Sequence, residues 1–110
     1  MTPDHRGARA CPSSNHGPRR DGARPDLIVL HHTAMPDCAS ARARRCAPAA
    51  EVSAHDLISE TGEVWQLVPG VRRAWHAGAG RWGAVTDVNS RSIGIELANP
   101  GARPFPEPQM

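Results

Sequence analysis

Apolar residues in this chain gather into a few short runs separated by long polar stretches, a pattern of strands more than of amphipathic helices. Leu27-Ile28-Val29-Leu30 is the most apolar run, and it delivers His31 and His32 at its end. Its β-branched residues and the nearby Pro25 and Pro36 mark a strand over about 27–32. Asp37 is then placed to cap a short helix from about Cys38 to Cys46, which stops before Pro48. The apolar face of that helix is narrow, with Ala39, Ala43 and Cys46 on it and Arg42, Arg44 and Arg45 crowding the rest.

Residues 52–60 and 63–68 read as two strands around Thr61-Gly62, where glycine permits the positive φ of a tight hairpin turn. Ser92-Ile93-Gly94-Ile95-Glu96-Leu97 is a further strand, and its glycine allows close backbone approach. Between them, residues 69–91 are rich in glycine and small residues and read as a long surface loop of the kind that carries function. The proline-rich end, 100–108, can be neither helix nor central strand. Residues 1–25 lack an apolar period and read as an irregular, solvated arm, which leaves 26–110 as the folded domain.

Composition narrows the class. Only 17 of 110 residues are Leu, Ile, Val or Phe, a thin supply for a packed core. Disorder also needs high net charge, yet 13 basic residues nearly cancel 11 acidic ones, so an incomplete globular domain is expected. All 13 basic residues are arginine, and the positive excess sits in the arm. The only aromatic residues are Trp65, Trp75, Trp82 and Phe105, too few for a stacking surface, which argues against a nucleic-acid partner. There is no apolar leader after Met1 and no membrane-length run, so a cytoplasmic protein is expected, with export by another route as the alternative. Cys11, Cys38 and Cys46 are odd in number and lack a Cys-x-x-Cys pair, which fits a reducing compartment.

Four histidines lie inside the folded part. His31 and His32 are adjacent on a strand and point to opposite faces, so they do not bind one metal together. His55 lies in Val52-Ser53-Ala54-His55 and His76 in Ala74-Trp75-His76-Ala77-Gly78. Glu96 sits among Ile93, Ile95 and Leu97: either it is a buried carboxylate that needs a partner and suits proton transfer, or it is the solvent-facing member of an alternating strand.

Five segments in order carry a family resemblance: Leu30-His31-His32-Thr33-Ala34, Val52-Ser53-Ala54-His55, Gly62-Glu63-Val64-Trp65-Gln66-Leu67-Val68, Ala74-Trp75-His76-Ala77-Gly78 and Asn89-Ser90-Arg91-Ser92-Ile93-Gly94-Ile95-Glu96-Leu97. Together they resemble the type-2 N-acetylmuramoyl-L-alanine amidases, the AmpD-like group related to the peptidoglycan-recognition proteins. The resemblance implies an α/β fold with a mixed central sheet flanked by helices, of which residues 26–110 are the N-terminal portion. It also implies a Zn²⁺-dependent hydrolase that cuts the amide between N-acetylmuramic acid and L-alanine in peptidoglycan or muropeptides. By motif, His31 matches the first zinc ligand and Glu96 the glutamate acting on the attacking water. His55 and His76 match histidines near the cleft, and Trp75 offers a flat apolar surface to substrate.

In that family the other zinc ligands follow a helix that begins near a Phe-Pro-Glu motif, and here Phe105-Pro106-Glu107 stands at the end of the chain. The alternatives are therefore a peptidoglycan-binding module without metal, or an inactive truncated fragment. Two further departures stand out. Asp56 follows His55 where relatives place an aromatic residue, and Arg42 and Arg45 lie where relatives carry apolar ones, at a packing cost unless their stems lie along the surface.

Overall fold

The computed structural model describes residues 2–77, 86–99, 101, 104–105 and 107–109. Seven strands form in chain order: β1 (Arg9–Ala10), β2 (His16–Gly17), β3 (Leu27–His32), β4 (Asp56–Ile58), β5 (Val64–Gln66), β6 (Arg73–Ala74) and β7 (Ser92–Leu97). Two helices accompany them, α1 (Cys38–Cys46) and α2 (Val88–Arg91). Five strands make one mixed sheet in the order β1-β5-β4-β7-β3, while β2 pairs antiparallel with β6. Within the main sheet β7 pairs parallel with both β3 and β4, and β4 meets β5 antiparallel across the expected hairpin. Gly62 takes φ +87° in that turn, as the tight reversal requires. The mixed α/β architecture is the one the family resemblance implies.

Parallel pairing sets which side chains share a face. Val29 lies beside Gly94, and His31 beside Glu96, which in turn neighbours Leu57 and, beyond it, Trp65. Because side chains alternate along a strand, these residues all face one side. Helix α1 covers that side: the Arg42 guanidinium lies 4.0 Å over the Trp65 ring, and Arg45 reaches Glu96. The core between them is small, built on Ala41, Leu57, Leu67, Val68 and Ala74, with Met35, Cys38, Cys46 and Trp65 packed around it. On the opposite side Ile28 and Leu30 are 72% and 61% exposed.

Helix α1 has the expected bounds, and the Asp37 carboxylate accepts from the Ser40 N–H at 2.7 Å as its N-cap. Its buried face differs from the expected one. Ala39 and Ala43 are exposed, whereas Ala41 and Arg45 are buried with Cys38 and Cys46 half-buried beside them. The polarity of Arg45 hides this face from a hydrophobic pattern; its ion pair is what lets it turn inward.

Strands β4 and β5 are shorter than the runs 52–60 and 63–68. The Val52 carbonyl accepts from Asn15 Nδ2, the Ser53 N–H donates to the Trp75 carbonyl and the His55 N–H to the Gly94 carbonyl, so this backbone is satisfied outside a regular ladder with β5. The stretch 69–91 is not all loop, since β6 and α2 lie in it; its residues 78–85, including Trp82, fall outside the described part.

Residues 2–25 are largely irregular but not loosely attached. Strand β1 pairs with β5, Asp4 Oδ2 accepts from Gln66 Nε2 and the Gly70 N–H at 2.8 Å each, and Ser13 and Asn15 are buried against the end of α1. Arg19 Nη1 donates to the carbonyls of Asn89, Ser90 and Ser92, and its Nη2 donates to that of Gly70 at 2.7 Å.

Candidate functional site

Strand β3 presents His31 on the helix-covered face, and His32 on the other, where it is exposed. His31 meets His76 from the segment after β6: its Nε2 lies 3.0 Å from His76 Nδ1, with the rings edge to face. His76 is itself seated over β7. A Cβ on Gly94 would stand 2.4 Å from His76 Cγ, so only glycine leaves room for the ring. Asn89 Oδ1 accepts from the N–H groups of His76 and Ala77 and holds the segment there. On the far side of the ring, Nε2 lies 2.9 Å from Ser92 Oγ. Burial, reinforced by His31 and His55, pushes the His76 imidazole down to about 3, so it is neutral near pH 7.

His55 lies beneath this group with 1% of its surface exposed. Its Nδ1 accepts from the Gly94 N–H at 3.0 Å, so its Nε2 carries the proton and donates to the Arg72 carbonyl at 2.9 Å. Burial lowers its pKa, and both nitrogens are committed. His55, expected near substrate, here ties β4 to β7 and to the segment before β6. His76 lines a cavity of about 500 Å³ together with Glu51, Arg73, Trp75, Asp87 and Asn89, but its two nitrogens face His31 and Ser92 and leave only ring carbon for a ligand. Trp75 is half-buried on the same cavity.

Glu96 is buried at 5% exposure, which settles the two readings of its strand position in favour of the inward one. Arg45 Nη2 stands 3.2 Å from Glu96 Oε1, and among the described residues Glu96 Oε2 has no hydrogen-bond partner. This partner is the residue that sequence reasoning missed. An arginine on a sheet-facing helix position, costly by itself, is the signal that points to a buried carboxylate opposite it. Asp87 was likewise not anticipated. Although partial burial works against its charge, hydrogen bonds from Arg73 and Ser90 hold its carboxyl below the usual range, and it forms one wall of the cavity.

Zinc needs three protein donors to hold it with a position left open. Among the described residues no three His, Cys, Asp or Glu side chains converge in that way. His31 offers one donor, Nδ1; beside it His76 is committed through both nitrogens and Glu96 through one carboxylate oxygen, to Arg45. These residues do not by themselves make a zinc centre. No helix among the described residues is long and apolar enough to cross a membrane.

Comparison with known proteins agrees with the geometry. Residues 21–110 match the N-acetylmuramoyl-L-alanine amidase family. The 1,6-anhydro-N-acetylmuramyl-L-alanine amidase AmpD of Escherichia coli is 35% identical over 108 residues, covering 83% of this chain and 59% of that protein. The crystal structure of a selenomethionine AmpD derivative superposes with a TM-score of 0.81 at 30% identity, over 99% of this chain and 72% of that one. The E. coli amidase AmiD, in complex with anhydro-N-acetylmuramic acid-L-Ala-D-gamma-Glu-L-Lys, gives 0.71 at 34% identity over 81% of this chain and 40% of its own. The chain thus spans about three-fifths of the AmpD sequence it matches. With the family profile matched over most of its length and the fold shared with AmpD and AmiD, this chain belongs to the N-acetylmuramoyl-L-alanine amidase family.

Proposed function

We propose that this chain forms the N-terminal share of a zinc-dependent N-acetylmuramoyl-L-alanine amidase that hydrolyses the amide between N-acetylmuramic acid and L-alanine in muropeptides. The observation that carries the reading is the register of β3 with β7, which sets His31 and Glu96 side by side on one face. In this proposal His31 supplies one zinc donor through Nδ1, with the remaining donors coming from outside the described residues. Glu96, whose Oε2 is uncommitted, takes the proton of the attacking water. Trp75 and the cavity beside it receive the muropeptide, a substrate class matched by the anhydro-muropeptide bound to AmiD. Turnover of such fragments in the cytoplasm is part of the proposal.

The test is hydrolysis of an anhydro-muropeptide by the protein carrying all the proposed zinc donors, with zinc added, followed by mass spectrometry. Release of free peptide and sugar, abolished by Glu96→Gln, supports the amidase. That no three donors converge among the described residues favours a second reading, a peptidoglycan-binding module without metal. Muropeptide binding without zinc, with no cleavage and no effect of Glu96→Gln, would establish that module instead.

A further inference from the structure

The hydrogen bonds around His31 fix where its proton sits. Ser92 Oγ lies 2.6 Å from the Val88 carbonyl oxygen, which can only accept, so the single hydroxyl proton of Ser92 is spent there. The contact of 2.9 Å between Ser92 Oγ and His76 Nε2 is then possible only if that nitrogen carries a proton and donates it. A neutral imidazole has one N–H, so His76 Nδ1 is left as a lone-pair acceptor. His31 Nε2, 3.0 Å away, must donate to it. The chain of donors runs one way, from His31 through His76 and Ser92 to the main chain of α2.

We propose that Ser92 and His76 are positioning residues that hold His31 in its Nε2–H tautomer, leaving Nδ1 as the one free lone pair on the ring. No hydrogen bond to His31 Nδ1 forms among the described residues. Histidines that act through one nitrogen are commonly set by a hydrogen bond on the other, which orients the ring and raises its basicity. Here the setting is built into the backbone. Residues 88–91 form α2, β7 starts at Ser92, and Gly94 clears the space that His76 fills. Ser92 is the last side chain in the series before the carbonyl that ends it, and it belongs to the same strand as Glu96. The use of the Nδ1 lone pair in hydrolysis rests on the function proposed above, whereas the tautomer itself does not.

The experiment is solution NMR on the ¹⁵N-labelled full chain without metal or substrate, so its outcome is separate from that of the amidase assay. His31 and His76 are each expected to show one locked tautomer, with a protonated Nε2 and an unprotonated Nδ1. A scalar coupling across the hydrogen bond should join His31 Nε2–H to His76 Nδ1. Ser92→Ala should speed exchange of the His31 imidazole proton with water at least tenfold, and Ser92→Thr, which keeps the hydroxyl, should restore slow exchange. A His31 ring protonated at Nδ1, or no coupling between the two rings in the unmodified chain, overturns the proposal whether or not the variants fold. An exchange rate in Ser92→Ala equal to that of the unmodified chain overturns the role of Ser92.

Discussion

At the scale of single residues, the site depends on one side chain that is missing and one that is charged. Gly94 gives His76 its seat, so Gly94→Ala must push the imidazole away from a backbone that cannot yield. The expected cost is about 1–3 kcal/mol in denaturant unfolding, together with loss of the His31 to His76 contact in imidazole NMR signals. Arg45 is the charged case. Its side chain and that of Glu96 are 11% and 6% exposed, so Arg45→Ala leaves a carboxylate buried without its counter-charge. A loss of about 3–5 kcal/mol is expected in urea unfolding, and most of it should return in the double variant Arg45→Met with Glu96→Gln. His31 and Glu96 stood out in the sequence because strand ends and apolar neighbours frame them. The partnership of Arg45 with Glu96 did not, because contact between residues 51 positions apart is made by the fold.

Among the elements, those with a chemical signal at their boundary were legible to the residue. Strands β3 and β7 and helix α1 begin and end where the apolar runs and the Asp37 cap place them. Strand β6 and helix α2 gave no such signal, since their order comes from ties to distant residues and not from hydrophobic period. Asp87 is the chief of these ties. Its side chain caps α2 by accepting from the Ser90 N–H and takes two bonds from Arg73 of β6. Asp87→Ala is expected to cost about 1–2 kcal/mol, and Asp87→Asn about half of that because the amide oxygen still caps. Thermal unfolding of the two variants side by side checks the order.

For the whole molecule, the feature hardest to foresee was the docking of residues 2–25. Polar composition marked them as solvated, yet their polar groups are what binds them: Arg19 satisfies four main-chain carbonyls around α2 and Gly70. The balance of buried ionisable groups also sets a pH window. Burial lowers the His55 pKa below its ordinary 6.5, so the unfolded chain binds that proton more readily and stability is lost as pH falls below about 6.5. Burial and the Cys11 thiol raise Cys46 from 9.0 to about 12, so its contribution is complete below pH 9 and fades as pH rises toward 12. The midpoint of thermal unfolding should therefore peak between these limits. His55→Gln should make the acid side shallower without flattening it, since His76, held down to about 3, contributes loss of the same sign. Cys46→Ser should make the alkaline side shallower, as circular dichroism across pH 4–11 would show.

The open face of β3 bears on behaviour in bulk. Ile28 and Leu30 stand outward on a strand that, among the described residues, forms the edge of the sheet. Water contact along that row is unfavourable, and the same row offers main-chain groups to any strand that approaches. Among the described residues this strip is where exposed aliphatic surface and open main chain coincide, so crowding and salting-out are expected to act on the protein through it.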